Sequence, residues 1–344
     1  MGDVKPGTNS LRDVKPEPKN TGDVTRILIT GANGFVGSAC VAEARARGVE
    51  VIALYRRAPL AQWANDPGIH ALQGDLSDPA ATAPLRNATA RVQAVIHAAA
   101  HLGGDAASHA QDTLRGTQTL LDTMADSGAR LVLVSSIAVY DTAQIAPGAA
   151  LDETAPLDDP DHPRDAYAGA KRRQELMCRA SGVPLWILRP GAVWGSGRTW
   201  NALLGFWASK LHVQINSGGE LPLTHVSHTA WALVEAAMRA PQGTPVLNVL
   251  DDDRPTRARF LRAHQRMTGW PRLTLPVPYR VWMAGVRLLK PLSPHLPGLL
   301  REPTARARLM PLTWPNTALR SALGGEDTDT FEGMLARTLG DNSP

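Results

Sequence analysis

Residues 30–37 read TGANGFVG, and this segment constrains the fold of the chain more than any other. It follows an apolar run, 26–29, and precedes an alanine-rich segment, 38–47, so it is predicted to be the turn between a β-strand and an α-helix. Glycines with this spacing allow a tight turn and a close approach to a pyrophosphate, and the helix N-terminus attracts anions. The segment therefore predicts a dinucleotide site, in preference to an ordinary strand-to-helix turn.

The composition is that of an ordinary globular enzyme. The 344 residues are 43% hydrophobic and 20% charged, enough for one large α/β domain with a substrate lobe. The net charge is +4, and no cluster of lysine or arginine with interleaved aromatic residues is present, so nucleic acid is not expected as a partner. The two cysteines, Cys40 and Cys178, are expected to be free thiols in a reducing compartment, which favours a cytoplasmic protein.

Nothing in the sequence predicts a membrane protein. The first residues contain no apolar stretch of the secretory type, and no apolar run reaches membrane-spanning length. Residues 276–300 are apolar but are interrupted by Arg287 and Lys290. An amphipathic helix on a membrane surface would explain this pattern. A helix that caps the substrate lobe explains it better and is the preferred interpretation.

From residue 26 onwards, predicted strands and helices alternate. Residues 1–24 repeat the motif Asp-Val-Lys-Pro and are predicted to be a disordered tail. The helices include 107–127 and 166–180. The predicted strands are 26–29, 49–54, 69–73, 92–97, 131–134, 185–188 and 246–250. This order predicts a Rossmann-type, doubly wound parallel sheet in a dinucleotide-binding domain, 25–190. Residues 191–335 are mainly a substrate lobe, with a strand near 245–250 that returns to the sheet.

Tyr167 and Lys171 are four residues apart in a predicted helix and therefore share one face. An ammonium group near a tyrosine lowers the pKa of the phenol, which can then act as a general acid or base. Such a pair alone is common on helix surfaces. Here the fifth strand also ends in hydroxyl groups, Ser135 and Ser136, at the sheet edge where ligands of open α/β folds bind.

Over residues 26–325 the chain resembles the extended short-chain dehydrogenase/reductase family, also called the NAD-dependent epimerase/dehydratase family. The motifs that carry the resemblance occur in the family's order, at residues 31–37, 74–76, 97–100, 135–140, 167–171 and 188–195. The resemblance implies that Tyr167 is the catalytic acid or base and that Ser136 binds the substrate oxygen. It implies that Lys171 holds the nicotinamide ribose.

The same resemblance implies the cofactor-binding residues. Asp75 and Leu76 would contact the adenine, and the small residues after the fourth strand would let the backbone pass close to the cofactor. The implied set is Gly31, Asn33, Gly34, Phe35, Val36, Gly37, Asp75, Leu76, Ala98, Ala99, Ala100, Tyr167 and Lys171. A homodimer is left open.

The second strand is followed by Tyr55, Arg56 and Arg57. Family members that prefer NAD usually carry Asp or Glu here, which accepts hydrogen bonds from the ribose 2′-hydroxyl. Two guanidinium groups instead suit a 2′-phosphate. Arg56 and Arg57 are therefore predicted to favour NADP over NAD, although a solvated basic loop would give the same pattern.

Two further departures concern polar residues. Thr113 stands where the family usually has Asn, which leaves the support of the catalytic network uncertain. His228 stands where Asp is usual, three residues after His225. A catalytic role for these histidines is open, but a role in positioning the lobe is preferred. No carboxylate or cysteine accompanies them at metal-ligand spacing, so no metal is expected.

The segment after the sixth strand bears on the substrate. Ala192 replaces an Asn that often contacts sugar nucleotides in the family, and Trp194 replaces a Tyr. A tryptophan-lined pocket would suit an apolar substrate, and rings that simply pack the lobe would explain the same residues at least as well. The sequence therefore predicts an NAD(P)-dependent oxidoreductase acting at a hydroxy or keto carbon of a relatively apolar small molecule. A nucleotide-sugar epimerase or dehydratase with tightly bound NAD(P) is the first alternative. A non-catalytic NADP-binding protein is the second, and the complete set of Ser136, Tyr167 and Lys171 argues against it.

Overall fold

The computed structural model describes residues 24–103, 105–296 and 298–340. The predicted tail lies outside these ranges except for Val24, which is buried. In this part of the chain the strands are β1 (Arg26–Thr30), β2 (Glu50–Tyr55), β3 (Ile69–Gln73), β4 (Ala94–His97), β5 (Arg130–Val134), β6 (Leu185–Pro190), β7 (Ala192–Trp194), β8 (Gly205–Ala208), β9 (Leu211–Asn216), β10 (Leu223–His225), β11 (Val246–Val249) and β12 (Leu273–Pro278).

Seven of these strands form one parallel sheet in the order β3-β2-β1-β4-β5-β6-β11. The strand order reverses between β1 and β4, which both pair with their neighbours in parallel register. The fold class predicted from the sequence is confirmed. The strand β11 pairs with β6 at the edge of the sheet, at the place where the sequence predicts a returning strand.

The helices are α1 (Phe35–Ala46), α2 (Thr82–Thr89), α3 (residues 106–124), α4 (Ala166–Ala180), α5 (Val226–Met238), α6 (Arg257–Thr268), α7 (Tyr279–Leu288), α8 (Glu302–Leu309), α9 (Thr317–Leu323) and α10 (Phe331–Gly340). Short 3-10 turns occur at Ala61–Asn65, Pro79–Ala81, Ile137–Val139, Thr142–Gln144, Lys290–His295 and Gly298–Leu300. The helix α3 is α-helical at both ends, but its centre, His109–Arg115, is a π-helix. The sequence predicts this helix without its π-helical turn, a feature that often marks functional sites.

The strands of the sheet are almost continuously apolar and buried. This is typical of a parallel sheet that is covered on both faces. One core packs α1, α5 and α9 against the sheet, and the other packs α2, α3 and α4 against the opposite face. The free cysteines Cys40 and Cys178 are buried, one in each core. Free, buried thiols agree with the prediction from the sequence.

The remaining strands build the lobe. The strands β8, β9 and β12 form a second sheet, and β7 pairs with β10. The helix α7 packs on the second sheet through buried Met283 and Val286, beside Val213 and Ile215. The segment 276–300 therefore supplies the capping helix that the sequence analysis prefers. Within the described ranges, no helix is both long enough and apolar enough to cross a membrane.

Candidate active site

A cleft of about 1190 Å³ opens at the carboxyl ends of the sheet strands. This is the edge where open α/β sheets bind ligands, beside the point at which strand order reverses. The cleft is lined by every predicted cofactor and catalytic residue except Arg57. These are Gly31, Asn33, Gly34, Phe35, Val36, Gly37, Arg56, Asp75, Leu76, Ala98, Ala99, Ala100, Ser136, Tyr167 and Lys171.

The glycine turn has the shape that a dinucleotide requires. Gly31 has a φ of +63°, and a Cβ there would lie 3.0 Å from the backbone of Ala99. A Cβ at Gly37 would lie 2.1 Å from the carbonyl oxygen of Gly31, so the helix can approach the strand only with glycine at this position. The helix α1 begins after Gly34 with no side-chain cap and no acidic residue in its first turn. Its N–H groups and dipole therefore suit the pyrophosphate of a dinucleotide.

The two arginines after β2 differ in position. Arg56 lines the cleft, is about half exposed, and has a guanidinium nitrogen 3.3 Å from a carboxylate oxygen of Asp112 and 3.8 Å from one of Asp75. Arg57 is exposed and does not line the cleft. One oxygen of Asp75 accepts hydrogen bonds from the backbone and hydroxyl of Ser77, which fixes the carboxylate at the mouth of the cleft.

Ser136 and Tyr167 meet at the centre of the cleft. Ser136 follows β5, and its hydroxyl accepts a hydrogen bond from the N–H of Ala138. Tyr167 lies in the first turn of α4, which Asp165 caps by accepting the N–H of Ala168 at 2.8 Å. Burial raises the pKa of Tyr167, and a hydrogen bond with Ser136 opposes that rise. The strand end and the helix start thus bring the two predicted groups to the same cleft.

Lys171 is buried one turn further along α4. Its Nζ donates hydrogen bonds to the carbonyl oxygen of Val134 at 2.8 Å and to Oε1 of Gln174 at 3.0 Å. Burial lowers the pKa of Lys171 to about 8. The sequence analysis expects the ammonium to lower the pKa of Tyr167, whereas the structure shows that pKa raised, because burial of the phenol dominates.

A hydrogen-bonded network of buried side chains extends from Lys171. Gln174 accepts from Lys171 and donates from Nε2 to the hydroxyl oxygen of Thr117 at 2.8 Å. The amide orientation is therefore determined by its two partners, because an ammonium can only donate. Gln174 and Thr117 are both buried, so neither has water as an alternative partner.

The same hydrogen-bonded network reaches the end of β1 through His97. The Thr117 hydroxyl donates to the carbonyl oxygen of Thr113, so it accepts from Nε2 of His97 at 3.0 Å. Nδ1 of His97 then accepts from the hydroxyl of Thr30, which itself accepts the N–H of Ala99. Burial lowers the pKa of His97 to about 3, so the ring is neutral, as this pattern requires. Thr113 supports the network through its backbone carbonyl, and its hydroxyl accepts the N–H of His101.

The π-helical turn also places His109 in the cleft. The ring is buried, its centroid is 6.0 Å from that of Tyr167, and its Nδ1 has no hydrogen-bond partner in the described part of the chain. Burial lowers the pKa of His109, and the nearby ring of His101 lowers it further. The sequence analysis overlooked His109. The spacing of residues 109, 113 and 117 along one helix face is the signal that could have revealed it.

Comparison with known proteins agrees with this geometry. The NAD dependent epimerase/dehydratase family matches residues 27–231. The chain belongs to this family. A 3-diazoavenalumate denitrifying reductase from Streptomyces sp is 31% identical over 259 residues, 72% of this chain and 82% of the relative. A 4-hydroxy-2-methyl-3-oxo-4-farnesyl-3,4-dihydroquinoline-1-oxide ketoreductase from Stigmatella aurantiaca is 28% identical over 292 residues, 82% and 84% of the two chains.

Among solved structures, MoeE5 in complex with UDP-glucose and NAD is similar, with a TM-score of 0.67 at 22% identity over 92% of this chain and 97% of that one. A likeness at this identity shows the fold. The family and its named reductases confirm the prediction of an NAD(P)-dependent oxidoreductase of the extended short-chain type.

The structure shows where Trp194 and Ala192 lie, two residues at which the chain departs from the family pattern. Trp194 is buried against Phe331, donates its indole N–H to Asp251, and does not line the cleft. Of the two interpretations of Trp194, packing of the lobe is the one that the structure shows, because β7 turns this side chain into the lobe core and away from the cleft. Ala192 does line the cleft, and the indole that lines it is that of Trp314.

His228 lies between two carboxylates that are distant in sequence. Its Nδ1 is 2.8 Å from Asp251 and 3.2 Å from Asp327, and the three residues together have the spacing of metal ligands. Burial opposes the charged imidazole, but the hydrogen bond and charge of Asp251 and the charge of Asp327 raise its pKa overall. The sequence analysis found no carboxylate near the histidines, because these two come from later segments. The pairing of His228 with two carboxylates accounts for the cluster, which lies outside the cleft lining together with His225.

Proposed function

We propose that this protein reduces a ketone to an alcohol on a relatively apolar small molecule, with NADPH as the preferred hydride donor. The observation that carries the proposal is that Ser136 and Tyr167 line the same cleft as the uncapped glycine turn. Lys171, one helical turn beyond Tyr167, completes the set. A protein that only binds a dinucleotide does not require these three groups together.

The proposed roles follow from donors and acceptors. A bound nicotinamide would supply the hydride for the carbonyl carbon. Tyr167 is protonated at neutral pH, because burial raises the pKa of its phenol, and it donates its proton to the carbonyl oxygen. Ser136 donates a hydrogen bond to the same oxygen, which stabilises the negative charge that develops there. Lys171 uses its remaining N–H for the nicotinamide ribose.

The preference for NADPH rests on Arg56. Its guanidinium lies at the mouth of the cleft beside Asp75 and Asp112. In the proposed complex the 2′-phosphate pairs with this guanidinium, a charge-assisted contact that NADH cannot make. Arg57 is exposed outside the lining and contributes at most long-range attraction.

The substrate class is argued from the cleft wall. Beyond Tyr167 the lining is apolar at Ile137, Ala192, Leu203 and Trp314. The relative from Stigmatella aurantiaca is named for a farnesylated dihydroquinoline, which supports a ketone on an apolar body for this chain. Epimerisation of a nucleotide sugar would use the same Tyr167, and Ala192 provides no hydrogen bonds for such a substrate.

The proposal includes a cytoplasmic location, because the buried free thiols of Cys40 and Cys178 suit a reducing compartment. A homodimer remains part of the proposal, and light scattering during gel filtration measures it directly. We propose neither nucleic acid nor a metal as a partner.

The test is loss of NADPH absorbance with a panel of ketones and nucleotide sugars, using the wild type and Tyr167→Phe. The wild type should consume NADPH with apolar ketones. Tyr167→Phe should lower turnover by on the order of 10²–10⁴ with little change in NADPH affinity, since only the proton donor is lost. Interconversion of nucleotide sugars without net NADPH consumption, and no turnover of any ketone, would establish the epimerase alternative instead.

A further inference from the structure

The end of the cleft farthest from the glycine turn is positively charged. It is formed by the lobe, chiefly by helix α8 and the segments around it, and its lining includes Thr142, Leu203, Arg301, Thr304, Arg308 and Trp314. The carboxylates that line the cleft within the described ranges are Asp75, Asp112 and Asp165. The first two lie beside Arg56 at the opposite end. At the lobe end, the cleft lining therefore contains more arginines than carboxylates.

Arg308 is the arginine at this end of the cleft whose guanidinium is available for a ligand. Its side chain is exposed to the cleft, and over the residues described it makes no salt bridge and no side-chain hydrogen bond. Arg198 also lines the cleft, but its guanidinium stacks on the ring of Phe35, 4.7 Å from the centroid. Because Phe35 opens helix α1 at the glycine turn, Arg198 is placed for the cofactor end and not for the substrate end.

The backbone around Arg308 is held firmly. Arg306 donates to the carbonyl oxygens of Thr142 and Ile145, at 3.0 Å and 2.7 Å from one guanidinium nitrogen. The buried guanidinium of Arg257 donates to the carbonyl oxygen of Arg308 itself at 2.6 Å. Helix α8 also buries Thr304 in the lobe. A side chain on so well anchored a backbone can select a ligand group by position.

Arg308 also lies on the catalytic side of the cleft. The positive charge of Arg308 lowers the pKa of Asp165, which lies two residues before Tyr167. Burial favours a higher pKa for Asp165, but the N–H of Ala168, the guanidinium of Arg164 and the charge of Arg308 hold that pKa below its usual value. Asp165 already accepts from Ala168 and pairs with Arg164 at 3.1 Å, so it does not serve as a direct partner of Arg308.

We propose that Arg308 binds an anionic group of the substrate, so that the substrate is an apolar ketone that also carries a carboxylate or a phosphate. This inference rests on the proposed function and names the substrate class for the same site. The ketone lies at Ser136 and Tyr167, the apolar body contacts Leu203 and Trp314, and the anion pairs with the guanidinium of Arg308. Planar guanidinium groups suit both anions through paired hydrogen bonds.

The experiment compares three synthetic probes: an oxodecanoate, its neutral methyl ester, and the corresponding oxodecyl phosphate. Wild-type kcat/KM should be higher for an anion than for the ester. Arg308→Met should lower kcat/KM for that anion by about 10–100-fold, mainly through KM, and leave the ester within about twofold. Arg308→Lys should restore part of the loss, because it keeps the charge. Preference for the carboxylate or for the phosphate identifies which anion the site takes.

Arg266→Met is the matched control, since Arg266 is an exposed arginine of the lobe outside the cleft lining. It should leave all three probes unchanged. Equal kcat/KM for ester and anions in the wild type, or equal losses for all probes in Arg308→Met, would overturn the inference while leaving ketone reduction intact.

Calorimetric binding of the oxodecanoate in the presence of NADP gives a readout that does not depend on turnover. Binding that Arg308→Met abolishes and Arg266→Met preserves supports the anion site. If such binding occurs without any reduction of the probe, the anion site stands and the proposed reaction fails. Equal binding by both variants would overturn the anion site.

Discussion

Replacing Gln174 with leucine should move the pH dependence of ketone reduction towards acid. Gln174 accepts a hydrogen bond from the buried Lys171 at 3.0 Å, and the carbonyl oxygen of Val134 accepts the other at 2.8 Å. Burial already lowers the pKa of Lys171 to about 8, while the charge of Glu175 acts to raise it. Leucine has a similar size but provides no acceptor, so the charged form of Lys171 loses one of its two partners.

The magnitude follows from that one contact. A hydrogen bond to a charged group is worth roughly 1.5–3 kcal/mol, and one pH unit of proton affinity corresponds to about 1.4 kcal/mol. If reduction requires protonated Lys171, the wild-type rate should fall as the pH rises through about 8. In Gln174→Leu the midpoint of this fall should lie about one to two pH units lower, which is roughly a two- to tenfold loss of kcat/KM at neutral pH.

The assay is kcat/KM for a ketone with NADPH across the pH range, for the wild type and two variants of Gln174. Gln174→Glu should move the midpoint in the alkaline direction, because a carboxylate stabilises the ammonium more strongly than an amide does. Gln118→Leu is the control, since Gln118 is an exposed glutamine of α3 whose side chain donates to Asp122, far from Lys171 in function. The same midpoint in all four proteins would refute the assignment of this alkaline fall in rate to Lys171.

Three further predictions concern charged groups. Arg56→Asp should reduce the ratio of NADPH to NADH affinity by about one to two decades in a fluorescence titration, and equal affinities in the wild type would contradict the assigned preference. Glu175→Ala should lower the free energy of unfolding by about 3–5 kcal/mol in urea, because it leaves the buried Arg189, now 2.8 Å from Glu175, without its partner. His228 has a raised pKa, so its charge stabilises the fold below the unfolded value of about 6.5 and this stabilisation is lost as the pH rises through the folded value. The difference in melting temperature between wild type and His228→Gln should therefore shrink with rising pH, and a constant difference would argue against an ion pair with Asp251.

Much of the fold could be predicted because its signals are local. Apolar strands alternate with helices at a regular spacing, and α4 was predicted at its observed bounds, Ala166–Ala180. The glycine turn was equally clear, since Gly37 is required by a contact within a few residues and Gly31 by a close approach to the segment after β4, the strand paired with β1. The π-helical centre of α3 was missed, because nothing in the spacing of apolar residues distinguishes it from an α-helix.

The sequence alone determined the family, the Rossmann-type sheet, and the pairing of Tyr167 with Lys171, since each depends on short-range spacing. Only the tertiary structure decided where Trp194 points, which carboxylates surround His228, and that Arg308 lines the same cleft as Tyr167. Arg308 lies 141 residues after Tyr167 in the chain, and packing of the lobe alone brings the two to one cleft. Contacts of that kind depend on how whole elements pack, and no pattern within a single element reports them.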